Sequence, residues 1–69
     1  MDVTWINTPD GGAHTADGRA VIRRVMERRE RLRIDFYIKV DGRHEGARDF
    51  IEDAKTRAEQ VMARTGVAA

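Results

Sequence analysis

The side chains able to do covalent or metal chemistry in this sequence are few and widely spaced. It holds no cysteine and no serine, which excludes a thiolate or serine nucleophile and a cysteine-based zinc site. His14 and His44 are its two histidines, and neither has a second histidine at metal-ligand spacing. Its threonines stand without a recognisable base partner. Gly11-Gly12 is not followed by the Lys-Thr or Lys-Ser of a phosphate loop and reads as a turn. A chain of 69 residues also seldom encloses a catalytic pocket. The reading is of a protein that is not an enzyme, with no catalytic residue, metal ligand or cofactor.

What remains is arginine. The net charge is only +1, yet residues 19–33 carry seven arginines against Glu27 and Glu30, while residues 1–18 carry three aspartates and no base. A GC-rich genome accounts for an excess of arginine over lysine, but not for the clustering. Guanidinium forks fit carboxylate and phosphate and stack on flat rings. Arg23, Arg28, Arg29, Arg31 and Arg33, with Tyr37, Lys39 and Arg43, are therefore the candidate partner-binding residues. Tyr beside Arg is the pairing found at interface hot spots.

Two elements must position these residues. Leu32, Ile34, Phe36, Ile38 and Val40 alternate with Arg33, Asp35, Tyr37 and Lys39, which predicts a strand over 32–40 with one buried and one open face. Asp41-Gly42 is a type I′ hairpin signal leading into a strand at 43–49. An unbroken register places Tyr37 opposite Gly46, Asp35 opposite Arg48 and Phe36 opposite Ala47. Ile51, Ala54, Ala58, Val61 and Met62 then repeat at helical spacing and predict a helix over 51–64. Asp49 is its expected cap, Asp53–Arg57 an i,i+4 pair, and Phe50 a buried ring. Val3–Asn7 reads as a short strand. Residues 20–27 read as a strand or as a helix; the strand is preferred because it gives 32–40 a second neighbour. It would also put Val21 and Val25 on one face and Ile22 and Met26 on the other, so one pair is left uncovered. The fold class is α+β: a single domain over 1–69, an antiparallel sheet of three or four strands, and one C-terminal helix packed on one face.

Thr15-Ala16-Asp17-Gly18-Arg19, Asp41-Gly42-Arg43-His44-Glu45-Gly46 and Asp53-Ala54-Lys55 follow one another in an order that resembles small phage and prophage sheet-plus-helix proteins. Two groups share the shape. One is the anti-CRISPR proteins; the other is the DNA binders of the AP2 and integrase arm-binding type. The first resemblance implies an inhibitor that binds an RNA-guided, Cascade-type CRISPR effector complex and blocks its access to target DNA. The second implies sheet-face DNA binding through Arg23 or Arg24, Arg33, Tyr37 and Lys39, as in integrase-arm or excisionase proteins, and is the second choice. No stretch is apolar enough for a transmembrane helix or a signal peptide core. The expectation is a protein of the bacterial cytoplasm, without membrane contact, acting as a monomer or a homodimer.

Overall fold

The structure is a computed structural model and describes residues 3–28 and 32–66. Five strands precede one helix: β1 (Trp5–Asn7), β2 (Ala13–Thr15), β3 (Ala20–Arg28), β4 (Leu32–Val40), β5 (Arg43–Arg48) and α1 (Ile51–Gly66). All neighbours pair antiparallel, in the order β1-β2-β3-β4-β5. The α+β class is as expected, but the sheet exceeds three or four strands. The extra one, β2, is three residues between two turns, too short to show a period of two.

Those turns explain how so short a strand holds. The Thr8 N–H donates to the Gly12 carbonyl and the Gly11 N–H to the Thr8 carbonyl to tie the first turn, with the Asp10 carboxylate accepting from the Thr8 hydroxyl and the Gly12 N–H. Gly12 lies so close to β3 that a Cβ there would come within 2.3 Å of the Ile22 carbonyl oxygen. In the second turn the Thr15 hydroxyl donates to Asp17 at 2.7 Å and accepts from the Ala20 N–H at 3.1 Å. Gly18 supplies the left-handed conformation at φ 78°.

Residues 20–28 form a strand, the preferred alternative, and pair residue for residue with β4 from Ala20–Val40 to Arg28–Leu32. Asp41 and Gly42, at φ 51° and 80°, make the expected type I′ turn, and Val40 pairs with Arg43. Beyond Lys39–His44 the register slips: Tyr37 faces Ala47 and Phe36 faces Arg48. Glu45 and Gly46 thus share the place opposite Ile38, a β-bulge that Gly46 permits at φ 110°. This overturns the unbroken register. Ala47 moves from under the helix to the open face, and Asp35 pairs with Arg33 at 3.2 Å rather than with Arg48.

The helix covers the base of the sheet. Ala54 and Ala58 are fully buried and small, so α1 lies close on Ala20, Ile22, Ile38 and Val40, with Val61 and Met62 completing the core. Complete burial of a side chain such as Ile22 or Ile38 is worth about 1.5–3 kcal/mol. Val3, Trp5, Phe36 and Ile51 close its border. The first helical bond runs from the Ala54 N–H to the Phe50 carbonyl, so the cap position falls on Phe50 instead of Asp49. Phe50 itself is 68 % exposed, not buried, because it precedes the apolar stripe. Among the described residues the ion pair at the start of α1 is Glu52–Lys55 at 3.8 Å, not Asp53–Arg57. The Arg57 Nε is buried without a hydrogen-bond partner. On the other flank the Trp5 indole N–H donates to Glu59 at 2.8 Å. The Lys55 ammonium donates to Asn7 at 3.2 Å and lies 5.9 Å from the centre of the Trp5 ring.

Candidate interaction surface

Pairing and alternation sort the candidate residues onto two faces. On the face away from α1, one row crosses all five strands: Ile6, His14, Val21, Lys39 and His44. A second row is Arg23, Tyr37 and Ala47, a third Val25 and Asp35, and a fourth Glu27 and Arg33. No element covers this face among the described residues, and Ile6 and Val21 are 44 % and 43 % exposed. The bulge shapes it by bringing Ala47 opposite Tyr37, on the same face as His44. The Tyr37 and His44 rings lie 5.7 Å apart, tilted at 45°.

The other face changes character along the same two strands. Around Ile22–Ile38 it is core. Past Arg24–Phe36, β3 and β4 leave the other strands behind and continue as a two-stranded arm through Met26–Ile34 to Arg28–Leu32. Four residue pairs beyond Phe36 amount to roughly 13 Å of ribbon. The molecule accordingly measures 47 × 21 × 18 Å. Met26 and Leu32, on the helix side of the arm but beyond the helix, are 52 % and 55 % exposed. At the root of the arm, Arg24 lies over the Thr8–Gly12 turn, where a Cβ on Gly11 would come within 2.8 Å of its side chain.

Of the eight candidates, Arg23, Arg33, Tyr37 and Lys39 share the open face, as the alternation predicts. Arg28 lies on the helix side of the arm, and Arg43, opposite Val40, on the helix side at the far end of the sheet. They do not form one continuous patch. Arg29 and Arg31 lie outside the described residues. Exposure of Met26 and Leu32 was hidden in the sequence, where Leu32 belongs to the stripe expected under the helix. The signal that could have revealed it is the apolar face of α1, whose alanines and few larger side chains are too short a row to cover nine residue pairs.

The carboxyls held below the ordinary aspartate range belong to turns rather than to this surface. For Asp10 the cause is first the Thr8 hydroxyl and then the Gly12 N–H; for Asp17 it is the Thr15 hydroxyl and then the Arg19 N–H. For Asp41 it is the Arg19 guanidinium, bonded at 3.1 and 2.9 Å, which is itself raised by Asp41. A groove of about 390 Å3 opens between β1, the second turn and the end of α1, lined by Val3, Thr4, Asp17, Arg19, Glu59 and Met62. Its charged groups are already engaged: Asp17 by Thr15, Arg19 by Asp41 and Glu59 by Trp5. Among the described residues, no three His, Asp or Glu side chains gather where they could hold a metal ion. No helix there is long and apolar enough to cross a membrane.

Compared with protein-family models, curated proteins and solved structures, the chain finds no match.

Proposed function

We propose that this chain is a non-catalytic interaction module that grips a protein partner with the β3–β4 arm. The observation that carries the reading is the arm itself: a projecting two-stranded ribbon with Met26 and Leu32 more than half exposed beside Arg28. A ribbon of two strands is marginal alone in water. Exposed apolar side chains beside arginine fit a protein surface, which would cover the apolar groups and pair the guanidinium. The resemblance to small phage proteins supplies the particular form: an anti-CRISPR-like inhibitor that occupies the surface of an RNA-guided effector complex and blocks target DNA. The second reading is duplex DNA binding by the open face. It is favoured by one feature, Arg23 and Lys39 beside Tyr37 on that face, with Arg33 two rows farther along the arm.

Surface binding kinetics against effector complexes at two ionic strengths test the first reading. Arg28→Glu should lower the on-rate in a salt-dependent way, and Met26→Asp should raise the off-rate with little salt dependence. If both variants bind and inhibit like wild type, the arm is not the gripping surface. A gel shift with a short duplex tests the second reading. A micromolar or tighter complex at physiological salt, weakened by Tyr37→Ala and falling steeply with added salt, would put DNA first.

A further inference from the structure

We propose that the open face is the interface of a symmetric homodimer, two β3–β4 ribbons stacking face to face about the Arg23–Tyr37 pair. This goes beyond the arm's proposed role, which uses the opposite side of the ribbon. The argument is self-complementarity. A two-fold contact brings a patch against its own copy, so the patch must read favourably against its own reversal.

Along β4 the open face presents Asp35, Tyr37 and Lys39; along β3, beside them, Val25, Arg23 and Val21. A two-fold axis lying in the interface, across the strands at Arg23–Tyr37, lays each strand over its copy in reverse. Asp35 then meets Lys39 of the second copy, and Lys39 meets Asp35. Val25 meets Val21, apolar on apolar. Tyr37 meets Tyr37 at the axis. Arg23 meets Arg23, a like pair, with a tyrosine ring from each copy beside it to receive the guanidinium on its π face. Moving the axis one row toward the tip places Asp35 on Asp35. Moving it one row toward the Asp41–Gly42 turn places Lys39 on Lys39. Neither shifted row sets the tyrosine on the axis; the first offers no ring there, and the second sets His14 and His44 against their own copies beside the repelling lysines.

Packed sheets cross at about 30°, so pairs next to the axis stay in register while distant ones splay apart. The specificity of the contact therefore rests on Lys39 and on Asp35. The Asp35 side chain is 13 % exposed and bonded to Arg33 at 3.2 Å, so that Lys39 of the second copy joins an existing pair rather than meeting a free carboxylate. The arrangement also gives the arm a cover on one side: Val25 and Asp35 of each arm lie on the Val21–Lys39 row of the other copy. Arg28, Met26 and Leu32 stay on the outer side, free for a different partner.

Size-exclusion chromatography with light scattering, across a dilution series of the full chain, tests this. Wild type should be a dimer. Asp35→Lys and Lys39→Asp, each opposing like charges twice, should weaken dimerisation about tenfold or more. The double variant Asp35→Lys with Lys39→Asp should recover the wild-type constant, and Tyr37→Glu should give a monomer. Circular dichroism and melting curves check that all four variants stay folded. A wild type that is monomeric at every concentration overturns the dimer and leaves the arm's binding standing. A dimer indifferent to the single swaps, or one the double swap fails to restore, overturns this face as the interface. So does a monomeric wild type whose Tyr37 and Lys39 variants lose duplex DNA.

Discussion

The base and the arm are made from the same two strands with the same alternation, yet one is a core and the other a pair of bare faces. At the base, Ile22 and Ile38 meet Ala54 and Ala58 and disappear from solvent. At the arm, Met26 and Leu32 hold equivalent positions with no described element above them and stay more than half exposed. A period of two decides which side chains share a face. It does not decide whether anything covers that face, which depends on where the last element lies.

The sharpest way to break this contrast is one charge placed in each half. Ala58→Asp puts an unpaired carboxylate between helix and sheet and should cost about 4 kcal/mol, enough to unfold a small domain. Met26→Asp in the arm should cost under about 0.5 kcal/mol, as exposed substitutions do. Thermal and urea melts of the two decide; equal losses would mean the arm is core. Next comes the turn that fixes where the base ends. Gly12→Ala drives a Cβ into the Ile22 carbonyl and should cost about 2–3 kcal/mol. Gly18→Ala meets open space and suffers only backbone strain, about 1 kcal/mol. If the order reverses in urea melts, the turn does not press on β3.

Smaller again, Trp5→Phe removes the indole bond to Glu59 and should cost about 1 kcal/mol while leaving partner binding by the arm unchanged. A matching loss of binding would tie the β1 edge to the surface. The smallest effect concerns acid. Asp17 and Asp41, both at the base, have folded carboxyls held below the ordinary range. Their contribution is therefore full above about pH 4 and is lost as pH falls through the folded values. Asp41→Asn should shallow the acid loss slightly in melts between neutral and acid pH; an unchanged slope would show that the Arg19–Asp41 pair contributes nothing.

Strand β4, its turn and the apolar stripe of α1 were legible in the sequence because each follows one strong period and one turn signal. The face assignment of Arg23, Arg33, Tyr37 and Lys39 follows from the same alternation. The β5 register was not legible. Its bulge needs an unpaired residue and a glycine at positive φ, and Gly46 alone does not say that the ladder slips there. Strand β2 escaped because three residues hold no period. The arm escaped because the reach of α1 over the sheet is set by packing, not by the pattern of the strands beneath. Arg57, expected in a surface pair, instead has its Nε enclosed, which a helical wheel cannot foresee.

The strand order has a consequence in time. Every strand lies beside the strand that precedes it in the chain, so the sheet can zip up through short closures without waiting for a distant segment. The helix that shields Ile22, Ile38 and Val40 is nevertheless the last element in the order. As the chain leaves the ribosome, a sheet able to form early must wait, apolar on one side, until residues 51–66 emerge. Speed of pairing and lateness of cover are thus opposed in this topology. A chain stopped short of α1 would be a fast-forming sheet with its core face bare, prone to stick to its own kind.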